Sequence, residues 1–120
     1  MKTESKKYLS DIEYAIRLIE EFIRDHSFTE YKADLKTKSA VERQLGIIGE
    51  AVNNYKKLGN PDLANSREII SFRNRLVHAY NSLEDEIIWA ILVRHLPKLK
   101  QEIILLLHDC LLYTSPSPRD

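Results

Sequence analysis

Arg73 to Tyr80 reads RNRLVHAY, and it gathers two arginines, an asparagine, a histidine and a tyrosine within eight residues. Each type suits phosphate chemistry. A guanidinium pairs with phosphate through two parallel hydrogen bonds. An imidazole, with a reference pKa of about 6.5, exchanges protons at neutral pH. Asn74 stands one helical turn before His78, where it could orient the ring or hold the same ligand. On an ideal wheel Ile69, Phe72, Leu76 and Ala79 form a core arc, and Arg73 falls inside it. A charge in an apolar stripe is costly unless it is paired or reaches water. Two readings follow: Arg73 makes a buried ion pair, with Glu50 as candidate, or it is a cation held ready for an anion. Five residues set Arg73 and His78 about 7.5 Å apart along a helix axis and roughly 140° apart around it. Both side chains meet one phosphate only if the helix ends near His78, if they reach around the ligand, or if a second copy contributes. The last option makes a symmetric homodimer with a composite groove attractive.

The chain that must position these groups has 120 residues, enough for one domain with a real core. Hydrophobic residues make up 43% and charged residues 30%, which excludes a disordered chain. Eighteen basic residues balance eighteen acidic ones, so bulk charge gives no drive toward nonspecific nucleic-acid binding, and any basic patch must be local. The N-terminal stretch has no signal-peptide pattern, and the longest uncharged apolar run, IIWAILV, is too short to span a bilayer. The expectation is a cytoplasmic protein with no membrane partner. The single cysteine excludes a disulfide framework. His26, His78, His95 and His108 are dispersed, and no Glu-x-x-His pair is present, so no metal or cofactor is expected.

Helical spacing dominates. A first helix is expected over about Ser5–Asp25, with Leu9, Ile12, Ile16, Ile19 and Ile23 inward. HSFTEYKADLKTKS reads as a polar connector. A second helix is expected over about Lys38–Leu58, with Val41, Leu45, Ile48, Val52 and Tyr55 inward, closed by Gly59 and Pro61. A third starts near Asn65 or Ser66 and carries the polar octet. The last runs from about Leu83 to Asp109, with a kink or split at Pro97. The expected fold is all-α, an antiparallel four-helix bundle of four or five helical segments. Gly46 and Gly49 each cost about 1 kcal/mol relative to alanine inside a helix, which suggests a close chain contact there.

The last eleven residues, CLLYTSPSPRD, resemble the in-frame translation of a transposase sequencing adapter. Their Ser/Pro composition alone reads as an irregular tail. The working division is a helical domain at 1–109 and a non-native appendage at 110–120.

Three segments in order resemble one known family. Arg73…His78-Ala79-Tyr80, with Asn74 after the arginine, looks like the motif of HEPN-domain toxins of the HepT type. VERQLGIIGEAV (Val41 to Val52) and EDEIIWAILVRHLPKLKQEI, with Trp89 and Leu96-Pro97, are similar to two other helices of that family. One departure is ISFRN, which lacks a tryptophan often found earlier in that helix. The resemblance covers about Tyr8 to Asp109. It implies a dimeric HEPN-like bundle acting as a metal-independent endoribonuclease, with Arg73, Asn74 and His78 at the reacting phosphate. Arg75 and Arg67 would bind flanking RNA phosphates. It further implies a minimal nucleotidyltransferase antitoxin that transfers AMP to Tyr80. Two other readings remain. One is a non-catalytic HEPN interaction module that binds a nucleotidyltransferase partner or a nucleotide. The other is a plain helical adaptor in which Arg73 pairs with Glu50.

Overall fold

The computed structural model describes the backbone of residues 2–75 and 82–114, and the side chains of residues 2–72 and 85–108. Within them the chain is helical and without strands. Its elements are α1 (Thr3–Ile23), α2 (Phe28–Ala33), α3 (Leu35–Lys57), α4 (Arg67–Arg75), α5 (Ser82–Ala90), a π-helical turn (Ile91–His95) and α6 (Leu96–Thr114).

α1 forms because Leu9, Ile12, Ala15, Ile16 and Ile19 recur at three- and four-residue spacing, and all five are essentially fully buried. They pack mainly on α3, whose Val41, Leu45, Ile48, Val52 and Tyr55 make the opposing stripe. The Asn60 side chain, just beyond α3, donates to Ser5 Oγ at 2.8 Å, so α1 and α3 run antiparallel. α6 closes α1 with Leu99 and Ile103, and Lys100 Nζ reaches Glu20 at 2.8 Å. Ile69 and Phe72 of α4 and Ile88, Ile91 and Leu92 complete one core. The fold class and nearly all the described inward residues agree with the sequence, while Leu76 and Ala79 lie outside the described residues. Ile23 and Leu106, at the stripe ends, are only partly buried.

The structure corrects the reading at three points. The connector after α1 contains a helix, α2. The Ser27 N–H donates to Glu30 Oε1 at 2.8 Å and the Glu30 N–H donates to Ser27 Oγ at 3.1 Å, a complete capping box. Asp34 then caps α3 by accepting from the Thr37 N–H at 3.1 Å, which starts α3 three residues earlier than expected. Second, a side chain on Gly46 would meet nothing within 4 Å, so no close contact explains that glycine. Third, the interruption expected at Pro97 lies just before it, as the π turn over Ile91–His95 that separates α5 from α6. A proline lacks an N–H, and its ring collides with the carbonyl four residues back, here that of Val93. The wider turn at Ile91–His95 comes just before, and the Leu96 N–H reaches back five residues to the Ile91 carbonyl. This π turn displaces the clash, and α6 continues to Thr114, into the stretch set aside as an appendage.

Candidate functional site

The polar octet begins on α4. This helix is held by a connector that leaves α3 through Gly59, whose φ of +91° few other residues tolerate. Asn60 bonds both Ser5 Oγ and the Tyr55 carbonyl, at 2.8 and 2.9 Å. Farther on, the Glu102 carboxylate of α6 accepts from the Ala64 N–H (2.8 Å), the Asn65 N–H (3.1 Å) and the Asn65 side-chain amide (3.1 Å). Ser66 is buried, and its hydroxyl donates back to the Leu63 carbonyl at 2.8 Å. Three backbone or amide donors on one carboxylate fix where α4 starts. Buried Ile69 and Phe72 then fix its rotation.

That register places Arg73, Asn74 and Arg75 in the last turn of α4. Their side chains, and His78 and Tyr80 altogether, lie outside the described residues. Among the expected site residues, only Arg67 has a described side chain. It is exposed, has no carboxylate partner among the described residues, and lines clefts on both sides of α4. Glu50, the proposed partner of Arg73, is exposed and lines an open groove between α1 and α3 with Tyr8, Tyr14 and Ile47.

Beyond the octet, α5 is fastened by a contact that crosses 47 residues of sequence. Asp85, in its first turn and only 7% exposed, receives Lys38 Nζ of α3 at 3.1 Å. Glu42, one turn along α3 from Lys38, completes a half-buried group of two carboxylates and one ammonium. Burial pushes the Glu42 carboxyl above its ordinary value, Lys38 pulls it back, and Asp85 pushes it up again. Tyr31 of α2 lies fully buried beside them, and its hydroxyl has no hydrogen-bond partner among the described residues. Burial first, then Glu42 and Asp85, drive its pKa upward, so the phenol stays neutral. The Tyr31 ring meets Trp89 of α5 at 5.3 Å between centroids, and Phe28 meets the same indole at 6.0 Å. The octet is therefore bracketed: Glu102 and the α4 core residues anchor one end, and the Lys38–Asp85 pair and the aromatic stack anchor the other. Sequence reading missed this second anchor because neither partner carries a local pattern.

No three His, Cys, Asp or Glu side chains converge as metal ligands among the described residues, and no described helix is long and apolar enough to cross a membrane.

Comparison with known proteins bears on the whole of this arrangement. Residues 12–106 match the model of a family described as ribonuclease HepT-like. A Thermococcus cleftensis protein named "Probable ribonuclease HepT" is 41% identical over 104 residues, which cover 83% of this chain and 93% of that one. Two Methanocaldococcus jannaschii proteins follow. "Putative RNase MJ0127" is 32% identical over 114 residues (90% of this chain, 91% of that one), and "Putative RNase MJ1380" is 31% identical over 105 (85% and 95%). No solved structure matches at the same stringency.

Proposed function

Because the chain belongs to the HepT-like ribonuclease family, we propose that it is the toxin of a HEPN/nucleotidyltransferase toxin–antitoxin pair, a metal-independent endoribonuclease of the cytoplasm. The observation that carries this reading is the extent of the family match, residues 12–106, which encloses the whole Arg73–Tyr80 octet.

The chemistry follows from the residue types. His78 assists removal of the proton from a ribose 2′-hydroxyl, whose oxygen attacks the adjacent phosphorus. The bond from phosphorus to the 5′-oxygen breaks, and that oxygen takes up a proton. The products are a 2′,3′-cyclic phosphate and a 5′-hydroxyl, with no water consumed. Arg73 stabilises the charge that grows on the phosphoryl oxygens. Asn74 holds the substrate or the imidazole. Arg75 and Arg67 bind flanking phosphates without reading sequence. On one straight helix Arg73 and His78 would diverge, which favours a working site shared by two copies in a homodimer. The antitoxin is a minimal nucleotidyltransferase. AMP on Tyr80, two residues from His78, places bulk and negative charge where the RNA phosphate must sit.

The test is cleavage of an end-labelled RNA in the presence of EDTA, by the native chain and by His78→Ala. Cleavage that vanishes in the variant and leaves cyclic-phosphate ends supports the nuclease. A folded, dimeric native protein that leaves RNA intact would favour the non-catalytic interaction module instead. Residues 110–120 have no role in this mechanism, so a chain ending at Asp109 should cleave equally well.

A further inference from the structure

The cavity between α4 and the π turn is not used by this mechanism. It encloses about 410 Å³, within the range of small-ligand sites. Phe72, Ile87 and Ile91 give it an apolar floor, and Arg67, Ser71 and His95 stand around it. Ile91 and His95 are the two ends of the π turn, so the widened helix shapes this wall. Arg67 and Ser71 are exposed. Glu68 also lines the cavity, with its carboxylate 3.9 Å from His95 Nδ1, longer than a hydrogen bond and open to another donor.

The cavity also lies on the face of α4 that carries the Asn74 position, away from Arg73, whose position follows the Ile69–Phe72 stripe. Arg67, Ser71 and Asn74 follow one another at four- and three-residue spacing, so the helical register sets them on one face of α4. Its α4 lining, Arg67 to Phe72, ends just before the residues assigned to the reacting phosphate.

We propose that this cavity receives the base of an RNA nucleotide flanking the cut, with Arg67 on that nucleotide's phosphate. The inference rests on the nuclease reading and extends it with a subsite. Single-stranded RNA is bound by setting unstacked bases against flat or apolar surfaces and pairing their edges with polar groups. An apolar floor suits the faces of a base, the Glu68 carboxylate can accept from an exocyclic amine, and a guanidinium at the mouth suits the phosphate.

The experiment measures binding of a short RNA whose cut-site nucleotide is 2′-deoxy, so that it is held without being cleaved. An abasic site is walked through the flanking positions. With native protein, one flanking position should lose about tenfold in affinity when its base is removed. In Ser71→Trp, where an indole on an exposed position fills the cavity, the intact RNA should weaken by about the same factor and the abasic RNA should not. Arg67→Gln should lower the slope of log affinity against log salt by about 0.7, the share of one phosphate on a single strand. Three results would overturn the proposal: no abasic penalty at any flanking position, a Ser71→Trp variant that binds intact RNA as native does, or one that changes subunit mass instead, which makes the cavity a protein contact. RNA cleavage without an abasic penalty removes the subsite alone. Neither cleavage nor binding by folded native protein removes the nuclease reading as well.

Discussion

Replacing Lys38 with methionine would strip the ammonium from a place where two carboxylates depend on it. Asp85 is 7% exposed and lies 3.1 Å from Lys38 Nζ, while the Lys38 side chain keeps 21% of its surface. Breaking a buried pair by removing one partner costs roughly 3–5 kcal/mol. Partial access of Lys38 to water places this case at the low end, about 3 kcal/mol, or roughly 10 °C of melting temperature for a domain of this size. The pH dependence gives a second reading. Burial already raises the folded-state pKa of Glu42, and Lys38 holds that rise back. A raised carboxyl penalises the folded state when ionised, and the penalty is relieved as pH falls through the raised value. Without Lys38 the rise is larger. The gap between variant and native should therefore be widest near neutral pH and narrow toward about pH 5. Urea unfolding at several pH values measures both. Adding Asp85→Leu should return part of the lost stability, because the more buried carboxylate is then gone and Glu42 is relieved of its repulsion. A gap below about 1 kcal/mol at neutral pH, or one that stays constant on acidification, would refute the reasoning. Asp85 fastens the helix that resumes just after the octet, so the single variant should also lose RNA cleavage at temperatures where it remains folded.

Three further outcomes follow from the same contacts. Gly46→Ala fills open space inside α3 and should stabilise the protein by about 1 kcal/mol in thermal or urea unfolding; a loss would mean that a neighbour occupies that space. Glu102→Ala leaves the Ala64 and Asn65 donors without their acceptor and should cost about 2 kcal/mol, while Glu102→Gln, which keeps one acceptor oxygen, should cost less. Equal losses for the two variants would show that the hydrogen bonds are not what matters. Tyr31→Phe removes a buried hydroxyl with no partner among the described residues and should be neutral or stabilising by up to about 1 kcal/mol; a clear destabilisation would reveal a bonded water.

The helical stripes were legible because burial follows spacing: Leu9 through Ile19 and Val41 through Tyr55 need nothing but a 3.6-residue period to be placed. What stayed hidden has other causes. In the stretch from His26 to Ser39 the polar composition outweighed a Ser-x-x-Glu signature at Ser27 and Glu30 that does mark a helix start. Tyr31, fully buried, sat unnoticed in that stretch because one aromatic among charges has no period to reveal it. Pro97 was read as the break, whereas the backbone relieves it one turn earlier with a π turn, a choice that no residue in IIWAILV announces. The Lys38–Asp85 and Glu102–Asn65 contacts join residues 47 and 37 apart, and such pairs emerge only once the helices are assembled. For the candidate site, sequence pointed to the octet, of which the structure describes the backbone of Arg73 to Arg75 at the end of α4. The anchors at either end of the octet came from packing.

The most direct test of the central claim concerns the 2′-hydroxyl itself. An RNA is cut in EDTA, its cleaved bond is mapped, and the same RNA is rebuilt with one 2′-deoxynucleotide on the 5′ side of that bond. If the hydroxyl is the nucleophile, cleavage at that bond disappears while other sites are still cut. Cleavage that persists there, or that occurs only when a divalent cation is restored, would contradict the mechanism.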